Sequence, residues 1–363
     1  MKRLFILLAA CLPIFALAQK EYTFTTYRNV VNNGYNFWIS LPDDYEVKKS
    51  EMPVVVFLHG NSLCGSDLNR VRRYGCLDAI SMGRDIDAML IAPQNPGGPW
   101  NPTRIMNVLN WVQEHFAMDT NRIYVIGMSL GGYGTFDFVA TYPEKFAAAM
   151  ALCGGSSRKD FCGLNKVPLW IIHGTADRDV SISQSERIVN AMKECGPTNL
   201  LRFDRFKGIN HSQLAKMFYL PETYEWLLSH SKADSSRHVN MDVNITVASL
   251  DQAYQNINRT ANTIKVVDKY NTTVPQNKDI DTANLSDEAL ATLANTVVPE
   301  KKTPAPAATP KPAPSKPAVH TVRSGDTLSA IARRYHTTVE KLCKINHIKE
   351  TSILSLGQKI KLR

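Results

Sequence analysis

The chain has 363 residues, of which 44% are hydrophobic and 9% aromatic, and a formal net charge of +9. This excludes a wholly disordered chain, a collagen-like repeat and a disulfide-dense miniprotein, and the length calls for about two domains. The charge is unevenly spread: residues 301–363 hold thirteen Lys/Arg against three Asp/Glu, so the first 300 residues are close to neutral. Basic charge gathered in one C-terminal tract favours an anionic polymer such as cell-wall material, and no nucleic-acid partner is expected.

Met1 to Ala18 reads as a secretory signal. Lys2 and Arg3 precede the apolar Leu4–Ala10, and Ala16-Leu17-Ala18 puts small residues before Gln19, as cleavage requires. Leu8-Ala9-Ala10-Cys11 resembles a bacterial lipoprotein processing site, which leaves lipid anchoring at Cys11 as the second reading. The residues after Cys11 stay apolar through Leu17, so cleavage after Ala18 is preferred. The expected location is exported: periplasmic, extracellular or cell-wall associated. No transmembrane segment is expected in the mature chain, because no later apolar run approaches the ~18 residues a span needs. Export permits disulfides. Cys153 and Cys162 flank a short turn and are close enough in sequence to be joined, although the connectivity stays open. The cysteine spacings fit no common zinc pattern, so no metal is expected.

Residues 20–230 read as one α/β domain. Tyr22–Arg28 and Tyr35–Leu41 flank Asn32-Asn33-Gly34, a hairpin signal. Near-continuous apolar runs follow at Val54–Leu58, Ala88–Ala92, Ile123–Ile126, Phe146–Leu152 and Leu169–Ile172. Runs without alternation suit parallel strands buried on both faces, and helical spacing between them (Ile105, Val108, Leu109, Val112, Phe116) suits crossover helices. The expected fold is a mostly parallel sheet with helices on both faces. Residues 231–318 read as a linker, polar at first and then proline-rich, with seven prolines in 299–318 making a semi-rigid spacer. Within it, Leu250, Tyr254, Ile257, Ala261 and Ile264 fall at helical spacing, which suits either an amphipathic helix over Leu250–Val267 that docks on the enzyme domain or self-associates, or a transient helix in the linker. A last compact unit spans 319–363.

Gly127-Met128-Ser129-Leu130-Gly131 follows the strand Arg122–Ile126 and precedes a helical segment, Tyr133–Tyr142. In a strand–turn–helix context this G-x-S-x-G pattern lifts a serine hydroxyl clear of the backbone and aims the next amide at an oxyanion. A nucleophilic serine needs a base, and the base needs an orienting carboxylate. Asp177, just past the strand Leu169–Ile172, and His211, past Leu201–Phe206, supply both in the order Ser, Asp, His. Asp179 is the rival acid, placed less well relative to the strand end. His173 reads as a structural strand-end histidine. His59, in Leu58-His59-Gly60-Asn61-Ser62, reads as shaping the loop that supplies a second oxyanion amide at Asn61, beside that of Leu130.

These stretches resemble the α/β-hydrolase superfamily, most closely its feruloyl-esterase, dienelactone-hydrolase and phospholipase/carboxylesterase members. The resemblance covers about 200 residues. It implies a secreted serine hydrolase of carboxylic esters with Ser129, Asp177 and His211 as catalytic triad, Trp100 lining the substrate pocket, and no metal or organic cofactor. The alternatives are a serine peptidase or amidase of the same fold, or a non-catalytic wall-binding protein.

The C-terminal unit reads as strand, helix, helix, strand, with Ser324-Gly325-Asp326-Thr327-Leu328 opening the first helix and Gly357-Gln358-Lys359-Ile360 leading the closing strand. It resembles a LysM domain. This implies a βααβ module that binds peptidoglycan or another N-acetylglucosamine polymer in a groove between Gly325, Asp326 and Thr327 on one side and Asn346 and Ile348 on the other. Cys343, at a usual core position, is expected to be buried and free.

Overall fold

In the computed structural model the described residues are 20–156, 158–255 and 257–269, together with 319–322, 328, 331–332, 335, 337–348 and 358–362. The signal segment with Cys11, the whole proline-rich spacer 299–318, and Gly325, Asp326 and Thr327 lie outside them. They divide into two compact units, one within 1–277 and one within 278–363.

The larger unit is built on a nine-stranded sheet. Its strands are β1 (Lys20–Tyr27), β2 (Asn36–Pro42), β3 (Val54–Leu58), β4 (Met89–Gln94), β5 (Ile123–Met128), β6 (Ala148–Leu152), β7 (Leu169–Gly174), β8 (Leu201–Phe206) and β9 (Asn262–Lys269). Their order in space is β8-β7-β6-β5-β3-β4-β2-β1-β9. The strands β3 to β8 run parallel to their neighbours in that set, whereas β2 lies antiparallel to both β1 and β4. The hairpin forms where the Asn-Asn-Gly signal puts it, with Asn33 at φ 50° and Tyr27 facing Phe37. Every residue of β3, β4, β5, β6 and β7 is buried, which is why these strands read as unbroken apolar runs.

Each face of the sheet carries its own apolar layer. Helix Pro102–His115 starts behind Asn101, whose side chain accepts from the Arg104 amide, and buries Ile105, Val108, Leu109 and Val112 against one face. Helices Cys76–Ser81 and Pro221–Leu228 cover the other, where Phe57, Trp170 and Trp226 are packed.

Two expectations change here. The linker predicted to begin at 231 stays packed on the hydrolase unit: Val239, Val243, Ile245 and Leu250 belong to its core. The single helix over Leu250–Val267 becomes a short helix, Val247–Gln252, and then a strand, β9, which pairs in parallel with β1 in the register Lys20↔Asn262 to Tyr27↔Lys269. Thr263, Ile264, Val266 and Val267 are β-branched, and β1 otherwise ends the sheet with unpaired amides and carbonyls. A free edge selected the strand over a periodicity that a helix also fits.

The smaller unit pairs β10 (Val319–Thr321) antiparallel to β11 (Lys359–Lys361). Leu328, Ile331 and Ala332 are helical and buried with Val322, Leu342, Ile360 and Leu362, as the sequence pattern requires. Its second helix runs Val339–Asn346, capped by Thr338. Cys343 is free and only half-buried, so it lines the edge of this core. Among the described residues no helix is long and apolar enough to cross a membrane.

Candidate active site

The chemistry-bearing residues stand past the carboxyl ends of four adjacent parallel strands, β5 to β8, where open α/β sheets place their sites. Ser129 follows β5 with φ 59° and ψ −122°, a backbone region that few non-glycine residues enter, and helix Leu130–Thr141 starts directly after it. Its amide donates to Leu152 O at 2.9 Å, and its carbonyl accepts from the Tyr133 amide. Glycine is obligatory around it: a Cβ on Gly131 would lie 1.8 Å from Leu58 O, and one on Gly127 would lie 2.3 Å from Gly131 O. Helix and strands approach this closely only where side chains are missing, and the strained turn follows from that approach.

Asp177 is a buried hub. Its Oδ1 accepts from the amides of Asp179 (3.0 Å) and Val180 (2.9 Å), and its Oδ2 accepts from His211 Nδ1–H at 2.7 Å. The Asp177 side chain is 0% exposed and that of His211 is 17% exposed, so the imidazole is held from inside while its far edge reaches the surface. Asp179 is exposed and takes part through its backbone amide. His211 is fixed by the turn that contains it. The Asn210 side chain accepts from the Gln213 amide and the Gln213 side chain accepts from the Asn210 amide, a reciprocal cap on the short helix His211–Leu214. Among the described hydrogen bonds none joins Ser129 Oγ to His211.

His173 is fully buried at the end of β7. Its Nε2–H donates to Val180 O at 2.9 Å and its Nδ1 faces Ser185 Oγ at 2.8 Å, so it braces the loop that carries Asp177.

His59 is also fully buried. Its Nε2 accepts from the Asn95 amide at 3.0 Å, which leaves the proton on Nδ1 to donate to Gly60 O at 2.8 Å. That bond sets the plane of the Gly60–Asn61 peptide. In a trans peptide the N–H points opposite the C=O, so the Asn61 amide is aimed away from His59. Among the described residues neither the Asn61 nor the Leu130 amide has an acceptor, the condition a pair of oxyanion donors requires. Burial lowers the His59 pKa to about 4. The unfolded chain then binds this proton below about pH 6.5 while the folded chain does not. Folding stability is therefore expected to fall by about 3 kcal/mol at most as pH drops from 6.5 through 4. Thermal melts of the protein and of His59→Gln over that range check this, the variant losing part of the slope. The buried His173 and His230, whose pKa values burial also lowers, keep the remainder.

Trp100 is 3% exposed. Its indole N–H donates to His59 O and its ring packs edge-on against His59 and Tyr35. It packs behind the turn Asn61–Leu63, against His59. The sequence had placed it on the pocket surface.

Cys153 was missed as a neighbour of the acid. It ends β6 at φ 38°, fully buried, and its sulfur lies with an Asp177 carboxylate oxygen and a His211 ring nitrogen inside 4.8 Å. Burial, and next the charge of Asp177, push its thiol pKa well up, so it faces the carboxylate as a neutral S–H. Its position one strand over from the elbow was the available signal. Of the pairings that the sequence left open, the structure forms Cys162 with Cys195 and not with Cys153, tying the turn Cys162–Lys166 to the end of helix Ser183–Glu194. Nearness in sequence is a poor guide when a turn points its two ends to different layers.

A recess of about 410 Å³ opens beside His211, and Arg178, Asp179, Asn210 and Ser212 contribute to its polar wall. In the C-terminal unit the Asn346 side chain is committed internally: it donates to Leu342 O and Lys361 O and accepts from the Lys361 amide. Ile348 packs against the edge of that unit's core.

Residues 98–162, which contain the elbow, match the family described as prolyl oligopeptidase family, and residues 320–363 match the LysM domain family. Over 86 residues the chain is 34% identical to a probable acetylxylan esterase A of Neosartorya fischeri, covering 24% of this chain and 23% of the relative. It is 29% identical over 157 residues to an esterase of Mycobacterium tuberculosis, covering 39% of this chain and 33% of the relative. The aligned part is thus a quarter to a third of these relatives' length. Among solved structures, a thermostable esterase superposes with a TM-score of 0.47 at 24% identity, over 58% of this chain and 63% of that one. The feruloyl esterase module of Clostridium thermocellum gives 0.45 at 15% identity, over 61% and 91%. Strand order and the strained serine elbow are those of the α/β-hydrolase fold, with a prolyl oligopeptidase family match over residues 98–162 and a LysM domain match over residues 320–363.

Proposed function

We propose that the protein is an exported serine esterase held on cell-wall polymer by its LysM domain. The observation that carries the reading is the bond from His211 Nδ1–H to the buried side chain of Asp177, together with a serine in a strained elbow at the carboxyl end of β5 in the same sheet. His211 Nε2 takes the Ser129 proton as Oγ attacks an ester carbonyl. Asp177 keeps the imidazole in that tautomer and stabilises its positive charge. The amides of Asn61 and Leu130 hold the oxyanion. His211 then protonates the leaving alcohol, and water releases the acyl group by the reverse steps. The likeness to acetylxylan esterases favours a hydroxyl-rich alcohol. The Cys162–Cys195 bridge fits an oxidising compartment, in keeping with the signal segment.

Hydrolysis of p-nitrophenyl acetate and acetylated oligosaccharides, compared with p-nitroanilides, tests the chemistry. Faster turnover of the esters supports the reading. Turnover of the anilides alone favours a peptidase, a second reading that the prolyl oligopeptidase match makes specific. Binding is tested separately. Retention on purified peptidoglycan is expected to be lost when the chain is cut at 300, and equal retention of the cut chain refutes the tether.

A further inference from the structure

We propose that Tyr74 is a third oxyanion donor, its phenol O–H acting beside the amides of Asn61 and Leu130; this rests on the serine-esterase reading above. The spot that a Cβ on Gly60 would occupy lies 2.6 Å from Tyr74 Oη and 3.5 Å from Ser129 Cβ. Phenol oxygen and Ser129 side chain thus both border the space that a side chain on Gly60 would fill. Tyr74 Oη accepts from the Gly60 amide at 3.0 Å. Among the described hydrogen bonds the phenol O–H has no acceptor, so its proton can turn toward the space beside Ser129, and the Gly60 amide bonding to the oxygen strengthens it as a donor in turn.

The segment around Tyr74 is rigid. Gly75 turns the chain at φ 95° over the Phe57 ring, and the Tyr74 ring sits 6.4 Å from that of Phe218. Four residues earlier, Arg70 donates to Ser62 O at 2.7 Å, so one stretch of chain grips the oxyanion loop at two points. Burial raises the Tyr74 pKa, which keeps the phenol protonated through neutral pH. In the acylation step the carbonyl π pair moves onto oxygen as the Ser129 Oγ–C bond forms. Tyr74 stabilises that charge by a hydrogen bond and transfers no proton.

The test is Tyr74→Phe, measured on p-nitrophenyl acetate. Loss of one preorganised donor is expected to lower kcat by about 100-fold with KM little changed. Labelling of Ser129 by a fluorophosphonate is read alongside. If neither protein is labelled and neither cleaves esters, the esterase reading fails, and Tyr74 with it. If the parent is active and labelled while Tyr74→Phe stays within about twofold in kcat, the Tyr74 proposal alone is overturned. A positioning role is separated by placing 3,5-difluorotyrosine, a more acidic phenol, at residue 74. The ionised ring still accepts from the Gly60 amide but has no proton to give, so a true donor moves the alkaline limb of kcat to lower pH. An unmoved limb, with kcat lowered in Tyr74→Phe, would mean the ring only positions the loop.

Discussion

Ser129→Ala is expected to remove about six orders of magnitude from kcat on p-nitrophenyl acetate and to abolish fluorophosphonate labelling, with the melting temperature held or raised. Loss of a nucleophile that acts as a unit with its base costs about as much as loss of the whole unit. Stability need not suffer, because Ser129 Oγ makes no hydrogen bond among the described residues, and the strained φ of 59° is imposed by the glycine-lined contact of strand and helix. Kinetics in the two proteins, with the melting temperature as control for folding, check this. An esterase activity that persists in the variant would require another nucleophile and would remove the elbow from the mechanism.

Asp177→Asn is expected to cost about 10⁴-fold in kcat near neutral pH. The amide is nearly the same shape, and its oxygen can still accept from the Asp179 and Val180 amides, so the turn survives. The NH₂ then faces His211 Nδ1 in place of an acceptor. The imidazole must present a lone pair there, which puts its proton on Nε2, the nitrogen that has to receive the Ser129 proton. A comparison of Asp177→Asn with Asp179→Asn is the sharper measurement. The second change touches an exposed side chain and is expected to stay within a few-fold of the parent. Comparable losses in both would undo the assignment of the acid.

Much of this was legible beforehand because the signals were local. A strand buried on both faces must be apolar throughout, so β3 to β7 announced themselves as runs. The elbow needs its glycines wherever it occurs, and it was read from five residues. The order Ser129, Asp177, His211 could be proposed because each residue follows a strand. The choice of Asp177 over Asp179 rested on spacing from the strand end, and the coordinates show the same preference in the bond to His211. Other features carried no local mark. The pairing of Cys162 with Cys195 depends on where a turn and a helix end meet. The burial of Trp100 behind His59 depends on the packing of three elements. Tyr74 lies in a stretch with no motif and matters because Gly60, fourteen residues earlier, leaves room for it.

The α/β class, the parallel strands, the serine elbow and the separate C-terminal unit can be read from the chain alone, since these follow from periodicity and from residues constrained by their own neighbours. That residues up to Lys269 extend the sheet, which acid meets His211, and which side chains lie near Ser129 emerge only once the chain is folded. Those outcomes depend on contacts between distant segments, on a free strand edge and on space left by absent side chains. None of these has a period or a motif to betray it along the chain.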